Sequence, residues 1–470
     1  MLKRFPGGEV HNLVSTTPDT AVVFKPAVIK TPAILTILIF VVRSVVGVIR
    51  TLFVHPVAVT VVTTPVVLLI GYGWEVAVPV VAALVSIPSA WALTHRASFS
   101  HWIGRRLLAF WRRVWIYRRH WQPVMIVSGL GRHLQGRDYL PKLLRVECDG
   151  WADRVTVKML TGQAVKDWTD RIEHLAHGFG AMSCRVTVAK SGRVVLTFPR
   201  RDPLAEPLPA VPIPERPSVG PVEIGRCEDG TPYLLNIHGT HVLVSGSTGA
   251  GKGSWLWSTI RGLLAAMRAG LVQVWALDPK RMELSFGRAL FGNRYAASPE
   301  ECADLLDAAV SVMQERADRF AGVRRFHVPT VADPFVLVVV DEVAFLTAYQ
   351  SDKGLRQRIA AALATLTTQG RAVGVGVMAA LQDPRKEVIN IRNLFPDKIA
   401  LRLDESEQVD MVLGDGARDR GALADRISPS TPGVGYVRLE SSPDPIRVRA
   451  AYVSDADIRD MVAEFVGEAR

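Results

Sequence analysis

Gly246-Ser247-Thr248-Gly249-Ala250-Gly251-Lys252 follows the apolar run His241-Val242-Leu243-Val244 and precedes Ser254-Trp255-Leu256-Trp257, in the order strand, glycine loop, helix. The glycines let the backbone curl so that successive N–H groups face phosphate oxygens. The helix adds its positive N-terminal end, and Lys252 reaches the terminal phosphates. Residues Gly246 to Ser254 are therefore a candidate nucleoside triphosphate site. Downstream, Pro334-Phe335-Val336-Leu337-Val338-Val339-Val340 is the near-continuous apolar run of a strand buried on both faces, and it ends in Asp341-Glu342. Asp341 is placed to hold Mg²⁺ or its water shell, and Glu342 to polarise an attacking water. Gln382 closes a further apolar run, Val373 to Ala380, where it can sense the γ-phosphate or position water. The cofactors this chemistry requires are ATP and Mg²⁺.

One position departs from the pattern. Gly253 stands where a phosphate loop of this kind has Ser or Thr, so a metal-coordinating hydroxyl is missing there. Ser254 is the nearest substitute, but it points about 100° away around the helix. A water completing the metal shell, a shifted helix start that brings Ser254 in as metal ligand, and a site that binds without turnover are the three alternatives.

These residues need a scaffold that brings strand ends together. Val272-Gln273-Val274-Trp275-Ala276-Leu277, closed by Asp278-Pro279-Lys280-Arg281, is another buried-strand candidate. With the strands before the glycine loop, Asp341 and Gln382 it forms the alternation of an α/β doubly wound, mostly parallel sheet, whose ligands sit at the carboxyl ends of the strands.

The 470 residues have room for two or three domains. Four scattered cysteines, Cys148, Cys184, Cys227 and Cys302, argue for a reduced compartment and against a zinc site or disulfide framework. The net charge of +11 is unevenly spread. Residues 1–221 carry 27 Lys and Arg against 13 Asp and Glu, whereas residues 222–470 carry 29 against 32. A nucleic-acid contact in the second half must then come from a local patch or a pore lining.

Pro56 to Tyr72 and Val76 to Leu93 are uncharged apolar runs separated by Gly73-Trp74-Glu75, which predicts a transmembrane hairpin. Arg43 and Arg50 before it and seven arginines between Arg96 and His120 after it place both ends in the cytoplasm. In that arginine stretch Trp102, Trp111, Trp115 and Tyr117 are interleaved, which suits a helix at the headgroup level. Ala33 to Val54 reads as an interfacial helix because Arg43 interrupts it. No signal peptide is expected. Arg154 to Leu160, Val165 to Phe179, Cys184 to Val188 and Arg193 to Phe198 read as a β-α-β-β unit, with His174 and His177 on an ordinary helix face. Seven prolines between Pro203 and Pro221 predict an extended linker. The expected division is an N-terminal tail and interfacial helix (1–55), the hairpin (56–94), a basic aromatic juxtamembrane helix (95–121), a small α+β module (122–202), the linker (203–221) and the motor (222–470).

The glycine loop, Leu277-Asp278-Pro279-Lys280, Val338 to Glu342, Thr368-Gln369-Gly370-Arg371-Ala372-Val373-Gly374-Val375 and Leu381-Gln382-Asp383-Pro384 together resemble the motor of FtsK/SpoIIIE-type DNA translocases. Pro445 to Asp455 resembles the close of that motor. The hairpin and arginine-tryptophan stretch further resemble the short members found in actinobacterial conjugative elements. The resemblance implies a P-loop, RecA-like motor that hydrolyses ATP and threads double-stranded DNA through a homo-hexamer; the two-span hairpin is expected to hold it at the inner membrane as a multi-pass protein, with the motor in the cytoplasm. It makes Arg371 the candidate arginine acting in trans, with Arg392 and Arg402 as competitors. The sequence ends soon after the motor, so site recognition is expected to need other transfer or recognition proteins. Conjugative transfer is the leading expectation; chromosome segregation at division and a coupling ATPase of protein secretion are the alternatives.

Overall fold

The computed structural model describes residues 10–16, 22–28, 56–134, 137–384 and 393–467. The expected interfacial helix at 33–54 and Arg392 lie outside them. The chain divides into two compact units, residues 1–104 and 105–470.

In the first unit, β1 (Val10–Thr16) and β2 (Val22–Val28) pair antiparallel. Two apolar helices follow, Pro56–Tyr72 and Trp74–Thr94, matching the two uncharged runs. They turn at Gly73, whose φ of 78° is a left-handed conformation that glycine adopts without a Cβ penalty. Among the described residues Trp74–Thr94, with 21 residues and a mean hydropathy of 2.0, is the one helix long and apolar enough to cross a membrane.

The second unit opens with helical segments Arg105–Arg112, Arg113–Arg118 and Arg119–Val127. Trp111 and Trp115 stay exposed, as a surface helix requires, but Tyr117 does not. It is fully buried, and with Trp121 and Met125 it forms an i, i+4, i+8 stripe packed on a small sheet. The expected boundary at 121/122 therefore falls inside a helix that belongs to the module. That module adds a short ribbon, β3 (Arg132–Leu134) with β4 (Arg137–Tyr139), and an antiparallel sheet. The sheet comprises β5 (Lys142–Cys148), β6 (Ala152–Lys158), β7 (Arg185–Lys190) and β8 (Arg193–Pro199) in the order β5-β6-β8-β7. The single helix expected over 165–179 is two, Val165–Thr169 and Ile172–Gly178. Asp153, fully buried, ties helix to sheet: Tyr117 Oη donates to it at 2.9 Å, Arg200 Nε at 2.8 Å and Cys148 Sγ at 2.9 Å, and Arg112 pairs with it. Burial alone would raise its carboxyl, but the hydrogen bonds from Cys148, Arg112, Arg200 and Tyr117 outweigh it and hold the pKa below the usual range. Removing one partner from such a buried pair costs about 3–5 kcal/mol.

Residues 203–221 contain no regular element, as the prolines dictate, but they are not a free linker. Leu204 and Leu208 are buried, Arg449 Nη1 donates to Leu204 O and Ala205 O at 2.8 Å each, and Tyr452 N donates to Leu208 O at 2.8 Å. Arg261 Nε holds Val211 O at 2.6 Å, and Arg447 clamps Asp202 through two 2.8 Å bonds. The segment is a strap lying along the motor.

The motor is built on one ten-stranded sheet. Its strands are β9 (Val222–Cys227), β10 (Pro232–Leu235), β11 (Val242–Ser245), β12 (Val272–Leu277), β13 (Tyr295–Ala296), β14 (Phe335–Val340), β15 (Val375–Leu381), β16 (Asp397–Ala400), β17 (Val434–Leu439) and β18 (Ser442–Ala450), in the order β10-β9-β18-β17-β16-β11-β15-β14-β12-β13. Strands β16 to β13 of that order are parallel, and the remaining four run antiparallel. Alternate residues of β14 serve two cores: Leu337 and Val339 face helices Lys252–Arg268 and Asp455–Gly467, while Val336, Val338 and Val340 face Pro299–Phe320 and Lys353–Gln369. Double-sided burial is why this strand has no polar alternation.

Candidate nucleotide site

Strand register assembles the site. Ser245 pairs with Leu381, Val340 with Ala379 and Leu277 with Val340, so the chain leaves four neighbouring parallel strands at nearly one level. Gly246, Gln382, Asp341 and Asp278 follow those ends, at the carboxyl edge where open α/β sheets bind ligands. Lys252 opens the 17-residue helix Lys252–Arg268, with Gly251 at its N-cap in a left-handed conformation, φ 93°. A Cβ on Gly251 would lie 2.8 Å from Cα of Gly433, so the loop is also pinned by a backbone crossing that only glycine permits.

Lys252 Nζ donates to Gly246 O at 2.7 Å and Ser247 O at 3.4 Å, and burial lowers its pKa. Glu342 is buried, at 3 % exposure, and its two oxygens are engaged separately: Oε2 accepts from Lys280 Nζ at 3.1 Å, and Oε1 from the Gln382 N–H at 3.2 Å. Gln382 also reaches the loop, its amide nitrogen donating to Thr248 Oγ1, while its Oε1 lies 3.5 Å from Lys280 Nζ. Loop, acid and glutamine thus form one network, with Lys280 at its centre. Lys280 ended a strand in the sequence reading and carried no role there.

Burial, and then the neighbouring carboxylates of Asp278 and Glu283, push the Asp341 carboxyl up to about 7. Burial and Asp278 likewise raise Glu283. Carboxylates that repel one another at low solvation are what a divalent cation relieves. Among the described residues no three His, Cys, Asp or Glu side chains gather into a metal site of their own. The donor set fits Mg²⁺ shared with nucleotide phosphates, which takes one or two protein carboxylates and keeps waters.

Gly253 has a specific neighbour. A Cβ there would lie 2.6 Å from Cδ of Glu283 and 2.9 Å from its Oε2, and closer still to Oε1. Ser254, one position on, has its Cβ beside Gly433 instead. Glu283 was absent from the sequence reading, and the missing hydroxyl at 253 was the signal that could have prompted a search for it.

Of the candidate arginines, Arg402 sits on its own loop: its guanidinium donates to Thr248 O at 2.7 Å, and its carbonyl accepts from Ser247 N at 2.9 Å. Arg371 lies before β15, at the edge opposite Gln382, where it bonds Gly239 O at 3.0 Å and Glu440 at 2.7 Å. Seven strand residues, about 20 Å, separate it from its own site.

Residues 212–408 match the FtsK/SpoIIIE family, and residues 91–199 match the actinomycete conjugal transfer protein N-terminal domain. Residues 212–408 are an FtsK/SpoIIIE domain. The chain is 26 % identical over 262 residues to DNA translocase FtsK of Listeria monocytogenes, covering 51 % of this chain and 33 % of that protein. It is 25 % identical to DNA translocase FtsK of Lactiplantibacillus plantarum, covering 51 % and 31 %. It therefore spans about a third of the length of these curated relatives. Among solved structures it is similar to the pCW3 conjugation coupling protein TcpA in its monomer form with ATPγS, at 20 % identity and TM-score 0.48 over 75 % of this chain and 99 % of that one.

Proposed function

We propose that this chain is a membrane-anchored ATPase that translocates double-stranded DNA during conjugative transfer. The supporting observation is the pairing, in one chain, of an FtsK/SpoIIIE motor with a conjugal transfer N-terminal domain. The conjugal transfer match at residues 91–199 favours transfer over chromosome segregation.

In this reading the loop amides of residues 246–252 and Lys252 bind the β- and γ-phosphates. Asp341 would hold Mg²⁺, which would supply neutralisation of charge at the phosphate oxygens. Glu342 orients and deprotonates the water that attacks the γ-phosphorus, after its Oε2 is released from Lys280. Lys280 then faces the γ-phosphate side of the network, and Gln382 reports the presence of that phosphate to β15. Arg371, remote from its own site, acts on a neighbouring subunit in a closed homo-hexameric ring, a head-to-tail arrangement.

The test is duplex binding by the detergent-solubilised full chain. Binding should be independent of sequence and should weaken steeply with salt, the logarithm of affinity falling by about 0.9 per phosphate neutralised for each tenfold rise in salt. A chain that is folded and binds ATP but holds no duplex at low salt would point to a polypeptide substrate instead.

For the anchor, the proposal is a hairpin of Pro56–Tyr72 and Trp74–Thr94 with both ends cytoplasmic. The first helix, 17 residues, extends about 25 Å, short of an average hydrocarbon core but within what local thinning accommodates. The exposed Trp111 and Trp115 and the arginines around them lie at the headgroup level. A reporter inserted at Gly73 should read outside the cell and one at Pro203 inside. A cytoplasmic signal at Gly73 would leave a single span, Trp74–Thr94, or none.

A further inference from the structure

We propose that Glu283 supplies the protein oxygen to the nucleotide-bound divalent cation that the missing side chain at position 253 supplies in an ordinary phosphate loop. The inference rests on the nucleotide-site reading above and assigns a ligand within it.

The steric relation between the two residues carries the argument. Glu283 reaches across from the segment after β12, and its carboxylate occupies the volume that a Cβ and hydroxyl on residue 253 would fill. A side chain at 253 could enter only if the Glu283 carboxylate swung aside, so the carboxylate now stands in the place of the absent hydroxyl. Ser254, about 100° further around the helix and beside Gly433, does not share that volume.

The segment is built to deliver the side chain. Asp278, fully buried at the end of β12, accepts backbone N–H bonds from Met282 at 3.3 Å and from Leu284 and Ser285 at 3.0 Å each. Those bonds wrap the chain around one carboxylate and leave Glu283 facing the loop. Arg281, inside the wrap, is the one non-glycine residue with positive φ, 59°, among those described. Asp278 is consumed by these bonds, so it positions Glu283 and is not itself a ligand. Asp341 and Glu283 then make the one or two carboxylates that Mg²⁺ takes beside phosphate oxygens and water.

A carboxylate differs from a hydroxyl in charge, and this gives the proposal an opposite-sign signature. With the cation present Glu283 attracts it; without the cation Glu283 repels the triphosphate. The experiment uses the full chain in detergent, with Mn²⁺ as probe. Mn²⁺ affinity is read by electron paramagnetic resonance in the presence of a non-hydrolysable ATP analogue, and analogue affinity in EDTA by fluorescence.

Glu283→Gln, which keeps the volume, should lower Mn²⁺ affinity on the order of 10–100-fold, while analogue affinity in EDTA is retained or rises. The double variant Gly253→Ser with Glu283→Ala, which clears the carboxylate and returns the hydroxyl, should recover most of the Mn²⁺ affinity. Unchanged Mn²⁺ affinity in E283Q overturns the proposal. So does a loss in E283Q that the double variant fails to recover, because charge at a distance would then be the whole effect. If the unaltered chain binds no analogue with or without Mn²⁺, the nucleotide-site reading fails instead, and the two failures are told apart by that control.

Discussion

Lys252→Ala is expected to reduce ATP turnover by about 10²–10³-fold or more, because no other side chain on the loop can neutralise the terminal phosphates. The substitution is locally benign. Residue 252 opens the helix Lys252–Arg268, where alanine is a strong helix former, and the carbonyls of Gly246 and Ser247 that Lys252 now holds lie next to solvent-accessible loop positions. The measurement is phosphate release by the purified full chain with and without duplex DNA. A near wild-type, DNA-stimulated rate in K252A would remove the site from residues 246–252.

Glu342→Gln should separate binding from chemistry. Glutamine matches the volume of the buried glutamate, and its carbonyl oxygen can still accept one of the bonds from Lys280 and the Gln382 N–H. Nucleotide should therefore bind with affinity close to that of the unaltered chain, while hydrolysis falls by roughly 10²–10⁴-fold for want of a base. Chains stalled in the ATP state should accumulate on duplex DNA. Turnover that survives E342Q would move the base elsewhere. Lys280→Ala makes the informative partner variant, since it frees Glu342 Oε2 without touching the acid.

The parallel core was readable because strands buried on both faces must be apolar throughout, and four such runs ended in residues with chemistry. The bounds of β11, β12, β14 and β15 lie within two residues of the runs that announced them. β16 was invisible for the same reason reversed. Its sequence, Asp397-Lys398-Ile399-Ala400, starts with two charged residues that are nonetheless buried, and Asp397 is held there by Thr240 Oγ1 at 2.8 Å and the Glu440 N–H at 2.9 Å. Tertiary partners of that kind leave no periodicity in the chain. Tyr117 was misplaced because interleaving of arginine and aromatic residues was counted along the sequence and not around the helix, where Tyr117, Trp121 and Met125 form one stripe and Trp111 and Trp115 another. The break at Asp170-Arg171 in the expected helix 165–179 was masked by apolar spacing that continues through it. At the site, residues on strand ends were legible and those on the segment after β12 were not. Glu283 and Lys280 stand where the turn around Asp278 puts them, and a wrap of backbone N–H bonds has no sequence period.

The strap at 203–221 bears on how a force would be carried. A motor that draws a polymer through itself is pulled with equal strength in the opposite direction, and that reaction has to pass along the chain to whatever is fixed. Were the prolines a free tether, the tension would fall on the few bonds at its ends and open them one after another, as a zip opens. Here Asp202, Leu204, Ala205, Leu208 and Val211 are fastened along the motor surface, four of them to the final strand and the residues just after it and one to the helix that opens at Lys252. Pulled lengthwise, these attachments strain together and share the stress, so the seam should resist traction far better than its modest number of bonds suggests.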